Sequence, residues 1–536
     1  MKKAVLILAV GDIRAKFSFL RMSHIGPSLI PLHTKPLAAH CIEFYADHLP
    51  DATLYLAVNE SEKDLVNTEL AHYEDNVKVL GIGPTDGVTE TLSHCLRQVD
   101  ACDQIIVQLV TTIPTICPDV NEVLVDDRKS FNKQWSTLSV VNNGIKDFGF
   151  KNDDHPVEGY AFSGTFCCTF PSLTSVMEDG VERPDDLLLV VRALHRKNKM
   201  KPVLCEWIDC GHEANYYKAR LSKLQSRDFN YVKLIRKGVL VKSSSNEEKI
   251  REEVQYLQSV PEDLQPFFPR VFGEAVVEGR PAYRMEYYGY PAVSELQLYW
   301  ELPEQLWERF YGTVAETLKG FRSVHDTLDP KDHHDMYIGK LERRTNAYRE
   351  RFEKEEAARI FEKEWRINGT LCQPLEKLLP DLEKEMKVIL DESESCIMHG
   401  DFCFGNMLYD ISSDIIRLID PRGKYGNRVT IYGDQYYDLA KLCHSSIGHY
   451  DYLVNHLFHM QMNKDTCDIR FNLRKNNGLH QSLTSQLLND LGANERKMNI
   501  LMALLFLSMT PLHDESRSRS LAMYMHGLYL LNTHIK

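Results

Sequence analysis

The feature that most constrains this chain is a change in its hydrophobic period near residue 225. Before that point, short apolar runs alternate with helical patterns. Ala4–Val10, Thr53–Val58, Val77–Leu80 and Gln104–Val110 read as strands, and Leu37–His48 and Ser61–His72 as the helices between them. Strands that alternate with helices imply an α/β layer fold with a mostly parallel sheet covered on both faces. After Ser222–Arg227 the pattern becomes a hairpin (Tyr231–Ile235 and Val239–Lys242), a helix (Asn246–Gln258) and a second hairpin (Val271–Val277 and Ala282–Tyr288). From Glu304 onward the period is mostly helical, with short strands near Met407–Asp420. A small sheet with one helix, followed by a large helical lobe, is a bilobal α+β arrangement. The expected organisation is 1–225, 226–292 and 293–536.

Composition narrows the function. The chain has 536 residues, 43% hydrophobic and 26% charged, which fits folded domains and excludes a disordered or fibrous chain. A net charge of −13 disfavours nucleic acid or an anionic membrane as the main partner, but leaves room for a local basic pocket. Thirteen scattered cysteines, with no C-x-x-C pair, suit a reducing, cytoplasmic setting rather than a disulfide frame or a zinc site. The run after Met1-Lys2-Lys3 reads as a first buried strand, not a signal peptide, because Asp12 and Arg14 follow it. Ile500–Leu507 is too short to span a bilayer and reads as a core helix. Glu353–Trp365, rich in both charge signs, reads as a solvated helix face. His333-His334-Asp335 reads as a polar loop, since adjacent histidines point apart and no third ligand is placed. No oligomeric state follows from the sequence.

The richest segment is His399-Gly400-Asp401, followed by Asn406 and then by a short apolar strand ending at Asp420. Phosphoryl transfer needs a carboxylate near the attacking hydroxyl, oxygen ligands for Mg²⁺, and a cation on the nucleotide phosphates. This segment supplies the first two. Together with Gly433-Asp434-Gln435-Tyr436-Tyr437-Asp438-Leu439-Ala440, it resembles the aminoglycoside phosphotransferase and choline kinase family, from about Ser226 to the C-terminus. The resemblance implies a protein-kinase-like fold and an ATP- and Mg²⁺-dependent kinase. Asp401 would be the catalytic base or hydroxyl-orienting carboxylate, Asn406 and Asp420 the metal ligands, and His399 and Asp438 structural supports. In the small lobe Lys242 would hold the α/β-phosphates with Glu253 as its ion-pair partner, Glu252 being the competing choice. Arg284–Tyr288, with Glu286, would form the adenine-binding hinge. No G-x-G-x-x-G lies between the first two strands of this lobe, only Lys237-Gly238.

The first 225 residues resemble sugar nucleotidyltransferases, which implies a GT-A-like, Rossmann-type fold. The matches are Leu8–Gly11, Gly26–Pro31 with Lys35-Pro36-Leu37, Gly87–Thr91, Tyr160–Phe166 and Glu206–Gly211. They are worn. Gly11 is followed by Asp12 instead of a second glycine, the motif's lysine falls on Pro27, and the strand end at Val110–Pro114 carries no acid. Gly11 and Asp209 remain as a weakened site, with Asp209 the surviving metal-ligand candidate. The expectation is a small-molecule kinase acting on a hydroxyl, with a sugar favoured as acceptor and an amino alcohol second. It would be fused to a domain whose nucleotidyl transfer is weak or lost and which binds or docks instead. The fusion suits capsular-polysaccharide or nucleotide-sugar synthesis; a bifunctional enzyme and a non-catalytic scaffold are the alternatives.

Overall fold

The computed structural model describes residues 2–11, 25–32, 35–73, 76–130, 135–151, 157–181, 185–222, 230–300, 302–391 and 393–535. Asp12, Arg14 and most of the Ser222–Arg227 transition lie outside them. The chain folds as two units, Met1–Lys223 and Leu224–Lys536.

In the first unit the apolar runs become strands because each can bury both faces. Lys3–Leu8 is buried from Ala4 onward and sits centrally, pairing in parallel with Thr53–Asn59 on one side and Gln104–Leu109 on the other. Val77–Ile82 extends the parallel part beyond Thr53–Asn59. An antiparallel part begins at Gly159–Thr169, which pairs with Gln104–Leu109 and then with Glu122–Ser130 and Thr137–Val141. The result is a nine-stranded mixed sheet with α helices between the parallel strands. Its core is continuous from Leu6 and Tyr55 through Val107 and Phe166 to the helix Leu188–Asn198. Leu37–His48 forms the expected helix, whereas Ser61–His72 is divided into Lys63–Glu69 flanked by single 3₁₀ turns.

The second unit opens with a four-stranded antiparallel sheet in the order Asn230–Arg236, Val239–Ser244, Arg280–Glu286, Val271–Val277. Asn246 caps the one helix of this lobe, Glu247–Ser259, by accepting from the Lys249 N–H at 3.1 Å. The rest is mainly helical and is built on Glu304–Arg322, Gln435–Ser446, Glu495–Met509 and Arg517–His534. Ile500–Leu507 lies wholly inside the buried Glu495–Met509 helix.

Three expectations need correction. The large lobe also holds a four-stranded sheet made of Trp365–Ile367, Thr370–Cys372, Phe458–Met462 and Thr466–Phe471. The charged stretch is a helix only over Lys354–Phe361, and Trp365 beyond it is a fully buried strand residue. His333 and His334 end a short helix, Pro330–His334, rather than lying in a loop, and His333 Nδ1 lies 2.8 Å from the Tyr425 hydroxyl. No disulfide joins the thirteen cysteines, most of which are buried. Among the described residues no helix is long and apolar enough to cross a membrane.

Candidate phosphotransfer site

Val239–Ser244 is buried at all six positions, so Lys242 carries an ammonium into the interior. A buried charge persists only where it is paired and hydrogen-bonded. Lys242 Nζ donates to both oxygens of Glu253 at 2.6 and 2.9 Å and to Asp420 Oδ1 at 2.6 Å. The Tyr283 hydroxyl adds a bond to Glu253 Oε1 at 2.6 Å. Burial works against the lysine's charge, but Asp420 and Glu253 outweigh it and hold its pKa above the ordinary lysine value. Burial pushes Glu253 up, with Lys242 opposing. The choice between neighbouring acids is thereby resolved: Glu253 faces Lys242, while Glu252 pairs with Lys424 at 2.9 Å.

The loop that carries Asp401 is held by Asp438. This buried carboxylate accepts from the His399 N–H at 2.6 Å and the Gly400 N–H at 2.8 Å. Burial raises its pKa to about 7 even though those two donors pull the other way. Asp438 stands in the first turn of Gln435–Ser446, a helix capped by Asp434, whose side chain accepts from the Tyr436 N–H at 3.0 Å. His399 is fully buried, and burial drives its pKa down to about 4, so the ring is neutral. Its Nδ1 accepts from the Asp401 N–H at 3.2 Å. Gly400 takes φ +79°, and a Cβ there would stand 2.5 Å from that of Arg422.

Asp401 is the most exposed member of the group, with 36% of its side chain accessible. Asn406 Nδ2 donates to Asp401 Oδ2 at 2.7 Å, so the Asn406 Oδ1 is the atom a cation would use. Asn406 is tied to the strand leading to Asp420 through its carbonyl, which accepts from the Ile419 N–H at 3.0 Å. Asp420 has a left-handed backbone, φ +60°, sparsely populated for a side-chain-bearing residue, and strain of this kind concentrates at functional sites. The structure thus brings Lys242, Glu253 and Asp420 into one bonded group and His399, Asp401, Asn406 and Asp438 into another, linked through the Asn406–Ile419 bond. Among the described residues no three His, Cys, Asp or Glu side chains are grouped as a metal-ion site. Asn406 and Asp420 still suit Mg²⁺, which keeps water and substrate phosphate in its shell and needs only one or two protein oxygens.

Glu286 stands apart from both groups. Its carboxylate accepts from the Tyr288 hydroxyl at 2.6 Å, and its N–H donates to the Arg270 carbonyl at 2.9 Å. The Tyr287 N–H is likewise used, by the Gly238 carbonyl at 3.0 Å, so neither of these two hinge donors faces an open partner.

Sequence reasoning missed a set of cations around Asp401. Lys441 Nζ lies 2.7 Å from Asp401 Oδ1 and is held charged by it against burial. Lys340 Nζ donates to the Tyr437 hydroxyl at 2.9 Å, and Arg422 Nη1 does so at 3.3 Å.

Comparison with known proteins adds the decisive observation: the model of the phosphotransferase enzyme family matches residues 231–451, a span that contains both bonded groups. Residues 231–451 are thus similar to that family, and the match does not extend into the N-terminal unit. A search of curated proteins found no match.

In the N-terminal unit the two carried-over residues sit at the C-terminal end of the parallel strands. Gly11, at φ +107°, donates its N–H to Asn59 Oδ1 at 3.1 Å. Asp209 ends the strand Trp207–Asp209, and the Cys210 N–H that follows donates to the Thr111 carbonyl at 2.8 Å. The carboxylate of Asp209 is held by its own turn: Gly211 N–H at 2.8 Å on Oδ1, and His212 Nδ1 at 2.8 Å and Asn215 Nδ2 at 2.7 Å on Oδ2. Solved structures similar to this part of the chain include an inositol-1-phosphate CTP transferase from T. maritima. It is 15% identical, with a TM-score of 0.33, covering 42% of this chain and 98% of that one. A nucleoside-diphosphate-sugar pyrophosphorylase from Vibrio cholerae is 13% identical, with a TM-score of 0.32, over 40% and 99% of the two chains. A UDP-glucose pyrophosphorylase from Acinetobacter baumannii is 12% identical, with a TM-score of 0.33, over 42% and 93%.

Proposed function

We propose that the C-terminal unit is an ATP- and Mg²⁺-dependent kinase that moves the γ-phosphoryl group to a hydroxyl of a small molecule, a sugar-like polyol being favoured. The observation that carries this is the buried Lys242–Glu253–Asp420 network beside a loop presenting Asp401 and Asn406. Lys242 would hold the donor phosphates, with Glu253 fixing its position. Asn406 Oδ1 and the Asp420 carboxylate would hold Mg²⁺, which when bound offsets the charge that develops on the phosphates. Asp401 would accept a hydrogen bond from the acceptor hydroxyl and take its proton as the new O–P bond forms and the bond to ADP breaks. Lys441 Nζ, 2.7 Å from Asp401 Oδ1, would fix the carboxylate in place for that role. Asp438 and His399 touch no reacting atom in this reading; they hold the loop.

For the N-terminal unit the reading is a binding or docking module without nucleotidyl transfer. The support is that Asp209 is bonded three times within its own turn and that the neighbouring strand end carries no acid. A place in surface-polysaccharide or nucleotide-sugar synthesis suits such a fusion.

The test is release of ADP, with mass spectrometry of products, from ATP and a panel of polyols. Asp401→Asn is expected to lower kcat by about 10²–10⁴-fold while leaving affinity for an ATP analogue intact. Equal turnover by the wild type and the variant would overturn the assignment.

A further inference from the structure

Two helices of the large lobe each aim a pair of residues, spaced four apart, at the region around Asp401. Lys340 and Arg344 come from Lys340–Arg349, and Tyr437 and Lys441 from Gln435–Ser446. Arg422, two residues beyond Asp420, closes the group by donating to the Tyr437 hydroxyl. Lys340 and Lys441 are only 7% and 6% exposed. Arg344 and Arg422 are half-buried, and with Asp401 they form the accessible side.

The charges here do not balance. Lys441 has Asp401. Lys340 and Arg422 share the Tyr437 hydroxyl, which Lys340, Arg422 and Lys441 pull down to about 7 against burial, so it offsets part of one charge, and Arg344 donates to the Ser508 carbonyl at 3.1 Å. The nearby acids are engaged elsewhere: Asp335 with Arg343, Asp434 with Tyr337, and Asp438 with two backbone N–H groups. Burying cations without a counter-charge is costly. Burial and the like charges of Arg422 and Arg344 depress Lys340 to about 7.

We propose that this cluster receives an anionic group, a phosphate monoester or a carboxylate, carried by the acceptor itself. The inference rests on the phosphotransferase reading of the same site and narrows it: the acceptor is a negatively charged hydroxyl compound, not an amino alcohol. Lys441 is bonded to Asp401, and Lys340 and Arg422 to Tyr437, whereas Lys242 has its own carboxylates, so the anion belongs on the acceptor side. An amine in the same place would meet the like charges of Arg344 and Arg422, with Lys340 beside them.

The experiment is calorimetric titration of the full chain, saturated with Mg²⁺ and a non-hydrolysable ATP analogue so that the donor position is filled. The probes are inorganic phosphate, acetate and glucosamine. Saturable binding of phosphate or acetate is expected, the stronger of the two naming the group, with none for glucosamine. Arg344→Gln and Lys340→Met should each weaken anion binding at least tenfold, with analogue affinity changed less than twofold. Arg344→Gln keeps the test open if the buried Lys340 variant does not fold. The inference is overturned if the analogue binds but neither anion does, if glucosamine binds as well as the anions, or if both folded variants bind anions as the wild type does. Failure of the analogue itself to bind would instead remove the kinase reading, and the acceptor assignment with it. As a second readout, initial rates should rank glucose 6-phosphate or gluconate above glucose, and glucose above glucosamine; a preference for glucosamine contradicts the proposal.

Discussion

At the scale of single residues, the site depends on a few positions with little tolerance. Gly400 is the sharpest. Its φ of +79° disfavours any side chain, and its Cβ would meet Arg422 at 2.5 Å. Gly400→Ala is expected to cost about 1–3 kcal/mol, read as a lower unfolding midpoint, and to displace the N–H that Asp438 holds. Removing a buried ion-pair partner is costlier: Glu253→Ala should destabilise by up to about 3–5 kcal/mol, less what Asp420 alone retains on Lys242. Denaturant unfolding measures both; unchanged midpoints would mean that these contacts are not held in solution. Much of this was legible in the sequence, because the spacing from Asp401 through Asn406 to Asp420 and the lysine in an apolar strand carry chemistry on their face. Lys441, Tyr437 and Lys340 were not, since their roles exist only once two helices are brought together.

At the scale of elements, local signals worked where one residue decides a boundary. Asn246 marks a helix start and does cap it, so Asn246→Ala should lower stability by about 0.5–2 kcal/mol and loosen the helix that presents Glu253. A thermal melt, with the affinity for an ATP analogue measured alongside, checks both effects. Signals failed where strands are only three residues long. Trp365–Ile367 and Thr370–Cys372 are too short to display a period of two, and they lie beside a charged helix that dominates any sequence window. They are strands because Trp365 and Ile367 are buried and Ile367 pairs with Cys467 of a distant hairpin.

At the scale of the molecule, burial keeps five histidines of the C-terminal unit neutral. Burial lowers His399, His449 and His480 to about 4, His526 to about 3, and His444 well below its ordinary value. An unfolded histidine binds its proton near 6.5, so between about 6.5 and 4 the unfolded chain holds more protons than the folded one. The part of the stability that these rings govern is therefore full above about pH 6.5 and falls as pH drops through that window. Asp438, whose folded pKa is raised to about 7, and Glu253, also raised by burial, act in the opposite sense but are fewer than the histidines. Unfolding midpoints should drop steeply between pH 7 and 5; a flat profile would contradict the buried, neutral rings. The layered α/β architecture of the first unit was readable from its alternating runs, whereas the commitment of Asp209 to its own turn was not, because that depends on where Gly211, His212 and Asn215 fold back.

The central claim is that Asn406 and Asp420 of one site hold a divalent ion beside a nucleotide. Electron paramagnetic resonance of Mn²⁺ in the presence of a non-hydrolysable ATP analogue tests it most directly. The account predicts nucleotide-dependent Mn²⁺ binding by the wild type, lost or weakened at least tenfold in Asp420→Ala and in Asn406→Ala. Binding of equal strength in all three proteins would contradict it.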